Sequence, residues 1–504
     1  MSMGTLTCAN LLSKIVRNRL LAWVDLWRNP AARTALMNTR ALNSMVTDSS
    51  AASSAWGSGS RVVNGAVNRL PDGTLLTPLY KLFAEAGWKT GLVTTSEITH
   101  ATPAGFAAAT KSRGDADEIA AQYLDRKVDV LLGGGRTYFS PGRRKDKRDL
   151  RGDFASAGYS VVLDKAALEA APLDTRVLGT FSYGHLPYSI DHRRDAKLIA
   201  TVPTLVEMTK AALARLERSE HFILQVEGAR VDHAAHNSDA AAAFNDQIAL
   251  DEALEACLEF QKRHPDTLIV VTTDHANSNP GLNGMGGGYN TSSQQFAFLK
   301  DAKMSFPEIL KLLEKAGEKI KVAPYPTDPE DKVEVPKIKE PATPKSPEEK
   351  DEDEEKEKKE KTKFTAAVQA DAVRIEAAKI VSVIAEATGY KMSLRRAELF
   401  SKVLAGSAPQ LFDQMNPVVT QLGQVMSNRY GIGWVGNTHT GDFVHLTAIG
   451  PGSELFAGYV ENTDIFTHYT KLAGIDFKNR SVPLIAHGGP EAHEAERPER
   501  YSVC

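Results

Sequence analysis

The chain has 504 residues, of which 42% are hydrophobic and 24% are charged, and its formal net charge is −3. This composition is typical of a globular protein and excludes collagen-like, coiled-coil and wholly disordered chains. The near-neutral charge gives no general attraction to nucleic acid. The three cysteines, Cys8, Cys257 and Cys504, are far apart and form no C-x-x-C pair, so we expect any metal to be held by histidine and carboxylate ligands.

The sequence contains no candidate for a membrane span. Its apolar runs stay below the roughly 18–20 residues that a transmembrane helix requires. The N-terminus also lacks the basic region, apolar region and small-residue cleavage site of a signal peptide. As written, the chain is therefore expected to be cytoplasmic.

Residues from about 75 to 300 alternate short apolar strands with amphipathic helices, a pattern that predicts βαβ units and a mostly parallel sheet in an α/β fold. Several of the strands follow directly on helices. The predicted helices and strands are, in chain order, Thr77–Ala86, Thr90–Thr94, Asp117–Arg126, Val128–Leu132, Pro203–Glu217, Phe222–Val226, Asp239–Lys262 and Leu268–Thr272.

The composition changes abruptly after residue 323. Prolines come first, and Glu348–Lys361 then contains only Asp, Glu and Lys. Such a segment buries too little apolar surface to fold alone, so we interpret residues 324–363 as a solvated insertion, partly helical or disordered, rather than a binding tail. We accordingly assign residues 1–323 and 364–487 to one α/β core and residues 488–504 to a polar tail. Phe443–Ile449 is predicted to add a strand.

Asp48, Ser49 and Ser50 precede a run of small helix-forming residues. A serine at that position would lie where the amides and positive dipole of a helix N-terminus favour an anion. Taken alone, the motif fits a simple N-cap better.

A second motif follows the predicted strand Phe222–Val226. It contains Glu227, Asp232, His233 and His236 within ten residues. Because Asp232 and His236 are four residues apart, one helical turn would place them on one face, which suits a divalent metal. A polar loop with surface histidines is the alternative for this segment by itself.

Two further segments supply candidate ligands. Asp274 and His275 follow the next predicted strand and should reach the same edge of the sheet, where open α/β sheets bind ligands. His439, in a His-Thr-Gly triplet, precedes another strand. A lone histidine is more often structural, so His439 gains weight only from the other candidates.

In combination these motifs resemble the alkaline phosphatase family. The resemblance rests on T-D-S-x-A-x-S, E-G-x-x-x-D-x-x-x-H, T-D-H and H-T-G in that order, and extends from about Thr39 to Tyr469 apart from the insertion. It implies a three-layer, doubly wound, mostly parallel sheet flanked by helices. It also implies hydrolysis of small phosphate monoesters, a possible homodimer without nucleic-acid specificity, and a periplasmic or extracellular location.

The resemblance also assigns roles to individual residues. It makes Ser49 the nucleophile that becomes phosphoserine, with Asp48 orienting Arg113, whose planar guanidinium can grip two phosphate oxygens. His100 and His233 occupy positions that tune the third metal or phosphate affinity. The implied metals are two Zn²⁺ and one Mg²⁺. One zinc would be bound by Asp232, His236 and His439, and the other by Asp274, His275 and the Ser49 oxygen. The magnesium would be bound by Thr102 and Glu227.

One ligand of the family has no counterpart in this sequence. It is an aspartate in an Asp-Gly pair after the first strand of the sheet, shared between the second zinc and the magnesium. The opening Met-Ser-Met-Gly-Thr-Leu resembles the residues that follow that pair, and Asp25 is a poor substitute. We therefore expect impaired activity and keep two alternatives open: a non-catalytic phosphate- or metal-binding relative, or another hydrolase of the wider superfamily. A sulfatase is disfavoured because its nucleophile segment is absent around Ser49.

Overall fold

The computed structural model describes residues 1–285, 288–322, 370–408 and 411–484. The predicted insertion at 324–363 and the predicted tail at 488–504 lie outside the described residues. Among the described helices, none combines the length and apolar character needed to cross a bilayer.

Residues 1–134 contain six α-helices and three strands. Their bounds are α1 Met3–Arg17, α2 Ala22–Leu26, β1 Arg33–Asn38, α3 Ser49–Ser58, α4 Leu79–Glu85, β2 Lys89–Glu97, α5 Ala101–Ala107, α6 Ala116–Asp125 and β3 Val130–Gly134. The predicted helix at 77–86 and strand at 90–94 correspond to α4 and β2, and the predicted pair at 117–132 corresponds to α6 and β3.

The central third continues the alternation of helix and strand. Its elements are α7 Leu150–Ser156, β4 Tyr159–Val162, α8 Lys165–Ala170, β5 Arg176–Thr180, α9 Ser189–His192, α10 Ala196–Thr201, α11 Leu205–Leu216, β6 Phe222–Glu227, α12 Arg230–His236, α13 Ala240–Arg263 and β7 Ile269–Val271. The predicted helices at 203–217 and 239–262 and the strands that follow them are confirmed with small shifts at their ends.

The remaining described residues form eight strands and six α-helices. They are β8 Ala276–Asn277, β9 Gly281–Leu282, α14 Ser292–Ala297, α15 Phe306–Ala316, β10 Glu318–Val322, β11 Ala370–Arg374, α16 Ala377–Thr388, α17 Leu394–Leu404, α18 Val418–Tyr430, β12 Ile432–Gly433, β13 His439–Thr440, β14 Val444–Ile449, β15 Gly458–Glu461 and α19 Asp464–Leu472.

Two sheets form the centre of the molecule. The larger has the order β4-β5-β3-β2-β6, and all its pairings are parallel. Its β2 turns Leu92 to one apolar cluster and Val93 to another, so both faces are covered by helices, as parallel sheets require. The smaller sheet has the order β15-β1-β14-β7, and β14 runs antiparallel to both neighbours. The predicted α/β architecture with a parallel sheet flanked by helices is confirmed.

The sequence analysis predicted neither α1 nor β1. Helix α1 begins at the Ser2 cap, whose hydroxyl accepts from the Thr5 N–H, and it buries Leu6, Ala9 and Leu12 on one side. Strand β1 alternates inward and outward residues over only six positions, with Ala35 and Met37 buried. Neither element stands out in the pattern of apolar residues, because small and polar side chains occupy part of its buried face.

One buried carboxylate fixes the N-terminal segment to the long helix α13. Asp251 accepts hydrogen bonds from the backbone N–H groups of Ala22 and Trp23, at 3.0 and 3.1 Å, and from Arg17 Nη2 at 2.9 Å. Its side chain is fully shielded from solvent. This carboxylate therefore determines where α2 begins.

We expect Asp251→Ala to lower the free energy of unfolding by about 3 kcal/mol, because it removes the acceptor of Arg17 Nη2 and of two backbone N–H groups in a buried position. Asp25→Ala is the control. Asp25 pairs with Arg28 across 3.8 Å with 66% of its side chain exposed, and its loss should stay within about 0.5 kcal/mol. Urea unfolding of both variants tests this, and equal losses would contradict the anchoring role of Asp251.

Candidate active site

The candidate residues meet at the carboxyl ends of β6 and β7. Glu227 ends β6, Asp274 follows β7, and both line one cavity together with Ser49, Thr102 and Asp232. His100 and His233 line the same cavity. The four motifs, which span almost 400 positions of the sequence, are thus brought to one place.

Asp232, His236 and His439 form the tightest group of possible metal ligands. One ligand atom from each lies within 4.8 Å of the other two. Helix α12 places Asp232 and His236 one turn apart, with 3.3 Å between Asp232 Oδ2 and His236 Nε2. His439 enters from β13, which pairs with β8, and its Nε2 lies 3.1 Å from His236 Nε2. The group combines two imidazoles and a carboxylate, a donor set suited to Zn²⁺.

Backbone contacts fix the orientation of both imidazoles. His236 Nδ1 lies 2.7 Å from the Asn437 carbonyl oxygen, and His439 Nδ1 lies 2.8 Å from that of Thr47. A carbonyl only accepts, so each Nδ1 carries a proton and donates it, which directs both Nε2 atoms toward Asp232. Burial opposes the shift, but the hydrogen bond to Asp232 and the charge of that carboxylate raise the pKa of His236, so a proton on its Nε2 is favoured. A bound cation would take the place of that proton. The local geometry therefore fits a bound metal ion.

The charges of this group support the same interpretation. Burial alone would raise the pKa of Asp232, but the hydrogen bond from His236 and the three surrounding imidazoles outweigh it, so that this pKa lies well below its usual value. Burial lowers the pKa of His439 to about 4. An ionised carboxylate and a neutral imidazole are the forms that coordinate metal.

Asp274 and His275 lie next to Ser49. His275 Nε2 is 3.0 Å from Asp274 Oδ2 and 2.9 Å from Ser49 Oγ. His275 Nδ1 is buried and has no hydrogen-bond partner among the described residues. The His275 ring stacks on that of His439 at 3.4 Å, so the two candidate ligand sets are adjacent.

Ser49 is the first residue of α3, and Asp48 caps the helix. The Asp48 carboxylate accepts from the Ala51 N–H at 2.9 Å, from the Gly65 N–H at 3.0 Å and from Arg113 Nη1 at 3.0 Å. The helix start and the arginine are thereby held by one side chain. Asp48 thus keeps the Arg113 guanidinium and the positive end of the α3 dipole near the Ser49 hydroxyl.

Glu227 and Thr102 are also in contact. Thr94 Oγ1 donates to Glu227 Oε2 at 2.6 Å. Burial raises the pKa of Glu227 to about 7, although the hydrogen bonds from Thr94 and Thr102 oppose the shift. Such a carboxylate is ready to be ionised by a nearby cation, and Thr94 was not among the candidates from the sequence.

His185 is a residue of the site that the sequence analysis missed. Its ring centroid lies 4.4 Å from that of His233 and 5.5 Å from that of His100. Arg230 Nη1 contacts His233 Nδ1 at 2.8 Å, and Arg113 Nη2 lies 3.3 Å from His100 Nε2. His185 follows the parallel strand β5, so the rule that located Asp274 could have found it. Asp25, by contrast, is exposed on α2, where it pairs with Arg28.

Comparison with known proteins gives one consistent result. The alkaline phosphatase family model matches residues 1–389. Alkaline phosphatase 3 of Bacillus subtilis is 31% identical over 440 residues, which cover 86% of this chain and 78% of that protein, and alkaline phosphatase 4 of the same organism is 30% identical over 426 residues, covering 83% and 75%. The crystal structure of Thermus thermophilus alkaline phosphatase matches with a TM-score of 0.79 and 32% identity, covering 96% of this chain and 91% of that one.

We expect His236→Ala and His439→Ala each to weaken zinc binding more than about 100-fold, beyond the 10–100-fold typical of changes outside the ligand shell. His445→Ala is the matched control, because His445 lies in β14 with its ring against Trp27, at 4.5 Å between centroids. Titration against a competing chelator measures the affinities. Unchanged affinity in His236→Ala, or an equal loss in His445→Ala, would contradict the assignment of these ligands.

Proposed function

This chain belongs to the alkaline phosphatase family of phosphomonoesterases, and from that premise we propose that it hydrolyses small phosphate monoesters through a phosphoserine on Ser49, with two zinc ions and one magnesium ion. The observation that carries the proposal is the position of the Ser49 hydroxyl. It lies at the start of α3, 2.9 Å from His275 Nε2, with Arg113 held beside it by Asp48.

The proposed zinc sites use the two adjacent ligand sets. Asp232, His236 and His439 would hold one ion, and Asp274, His275 and the Ser49 oxygen the other. The support is the paired Nε2 atoms at 3.1 Å and His275 Nε2, which lies 3.0 Å from Asp274 Oδ2 and 2.9 Å from Ser49 Oγ. When bound, such ions would lower the pKa of a coordinated hydroxyl and offset the charge that develops on attacking and leaving oxygens.

The proposed magnesium site lies at Thr102 and Glu227. Its support is a buried carboxyl whose pKa is raised to about 7 and which has a threonine hydroxyl as neighbour. Oxygen donors of this kind are those that Mg²⁺ prefers. His100 and His233, whose pKa values burial lowers, would stay neutral and act as supporting groups around this site.

The chain's own groups then carry out the displacement. Ser49 Oγ attacks phosphorus, a new O–P bond forms, and the bond from phosphorus to the ester oxygen breaks in line with it. Arg113 binds two of the equatorial phosphoryl oxygens, and the N-terminal amides of α3 stabilise their charge in the loose transition state. Asp48 holds the guanidinium in place. Water then cleaves the phosphoserine and releases inorganic phosphate.

We expect Ser49→Ala to abolish formation of the phosphoenzyme while costing at most about 1 kcal/mol of stability, because it removes only one hydroxyl at a helix start. The zinc-loaded chain is incubated with radioactive phosphate at acid pH, quenched and digested, and the labelled peptide is mapped.

Ser50→Ala is the matched control for this experiment. The Ser50 hydroxyl donates to the Asp48 carboxylate at 2.7 Å and is therefore engaged in capping α3 rather than in the proposed attack. Label should therefore remain in Ser50→Ala. Label that persists in Ser49→Ala would refute Ser49 as the nucleophile. An unlabelled wild-type chain with full zinc content would refute the covalent mechanism and favour a non-catalytic binding protein.

A further inference from the structure

Three histidine rings lie together beside the residues of the proposed mechanism. His100 follows β2, His185 follows β5 and His233 lies in α12 after β6, so all three stand at the carboxyl ends of strands of the larger sheet. The ring centroids of His185 and His233 are 4.4 Å apart, and each lies 5.5 Å from that of His100. We call these three rings the histidine cluster.

Two of the rings accept a hydrogen bond from an arginine. Arg113 Nη2 lies 3.3 Å from His100 Nε2, and Arg230 Nη1 lies 2.8 Å from His233 Nδ1. A guanidinium only donates, so the imidazole nitrogen is the acceptor in both contacts. A neutral imidazole that accepts at one nitrogen carries its proton on the other. His233 therefore presents an Nε2–H group.

The third ring is fixed in the same way by the backbone. The Glu97 N–H donates to His185 Nδ1 at 3.2 Å, so the proton of the neutral ring lies on Nε2. Burial lowers the pKa of His185 to about 4 and the pKa values of the other two rings as well, so all three are neutral near neutral pH. The Nε2–H groups of His185 and His233 have no hydrogen-bond partner among the described residues, and neither is fully buried.

These N–H groups argue against a cation inside the histidine cluster. A nitrogen that carries a proton has no lone pair for a metal ion. In the part of the chain that the structure describes, three candidate ligand atoms come within 4.8 Å of one another only at Asp232, His236 and His439. Two guanidinium groups also border the histidine cluster, and their charge repels a cation.

The charge of Arg230 favours an anion instead. Its guanidinium lies over the Tyr188 ring, at 3.6 Å from the centroid, and its Nε is buried without a hydrogen-bond partner among the described residues. Burial raises the pKa of Asp246 to about 7, although the Arg230 charge opposes the shift. That carboxyl is therefore only partly ionised near neutral pH and does not fully balance the guanidinium.

The histidine cluster borders the place where the phosphoryl group would bind. His100 and His233 line the same cavity as Ser49. His100 also contacts Arg113, the residue that would bind two phosphoryl oxygens. A group attached to the bound phosphate could therefore reach the free Nε2–H groups. Anionic oxygens form the strongest hydrogen bonds with such donors.

On the basis of the proposed function, we propose that the histidine cluster and Arg230 form a subsite for a second anionic group of the substrate. The Nε2–H groups of His185 and His233 donate to the oxygens of that group, and the Arg230 guanidinium supplies positive charge. The chain then prefers phosphate monoesters that carry a further carboxylate or phosphate over monoesters with an uncharged substituent.

A pair of phosphonates tests the subsite without turnover, because their carbon–phosphorus bond is not hydrolysed. Phosphonopropionate and propylphosphonate have chains of equal length and differ only in a terminal carboxylate. Their binding to the zinc-loaded wild-type chain is measured by calorimetry. We expect phosphonopropionate to bind at least about tenfold more tightly, the effect of one hydrogen bond to a charged group.

Two substitutions at His185 separate donation to the ligand from a structural role. Asparagine can still accept from the Glu97 N–H but has no group at the position of Nε2. Glutamine can donate near that position but leaves the Glu97 N–H without its acceptor. We expect His185→Asn to lose the preference for the carboxylate and His185→Gln to retain it. A purely structural role would give the reverse order.

His221→Asn is the matched control. His221 lies before the first residue of β6, at the end remote from Glu227, where its ring stacks on that of Trp88 with 4.9 Å between centroids. The preference for phosphonopropionate should be the same in this variant as in the wild-type chain.

The possible outcomes are distinct. Equal affinity for the two phosphonates in the wild-type chain, or an unchanged preference in His185→Asn, would overturn the subsite. Loss of a metal ion from His185→Asn, seen by elemental analysis, would assign the ring to a cation and would also overturn it. If neither phosphonate binds, the proposed phosphomonoesterase site itself fails. Binding of propylphosphonate without any preference for the carboxylate refutes the subsite alone.

Discussion

The arrangement of the site depends on a single constraint: the Nε2 atoms of two imidazoles are held 3.1 Å apart, beside a carboxylate. Their other nitrogens donate to the carbonyls of Asn437 and Thr47, so neither ring can turn away from Asp232 without losing a hydrogen bond. The backbone thus holds three possible ligand groups together before any cation binds. Such preorganisation limits the reorganisation needed when an ion binds.

Asp48 shows how one residue couples the fold to the chemistry. Its carboxylate caps the N-terminus of α3, accepts a hydrogen bond from the Gly65 N–H and binds the Arg113 guanidinium. The same contacts that begin the helix therefore set the distance between the nucleophile candidate and the guanidinium. A change at Asp48 would therefore alter local stability and the position of Arg113 together.

Much of the architecture could be predicted because it repeats. Helices followed by apolar strands between residues 75 and 300 predicted the parallel sheet, and strand ends located Glu227 and Asp274. The expectation that Asp274 and His275 follow a strand of that same sheet was wrong, because β7 pairs with β14 in the smaller sheet. The short strand β1 was not predicted, because six residues with two buried positions carry little periodic signal. Nor could the sequence indicate that β14 runs antiparallel to both of its neighbours, since pairing direction depends on distant segments.

Prediction of the site itself was more complete than prediction of its surroundings. Residues with metal-binding chemistry at fixed spacing, such as Asp232 and His236, can be recognised without knowing the fold. His185, Thr94 and Asn277 were not recognised, because a single histidine, threonine or asparagine is common in any loop. Their roles depend on what they touch: Asn277 Nδ2, for example, donates to Asp232 Oδ1 at 2.6 Å.

The site also straddles the two sheets, with Glu227 contributed by one and Asp274, His275 and His439 by segments connected to the other. An ion or anion held by residues from both halves acts as a cross-link between them. Its binding free energy then adds to the cohesion of the molecule, since a ligand that binds only the assembled form stabilises it by mass action. If ions bind there, resistance to heat and to proteases would depend on the ions available to the protein as well as on its core.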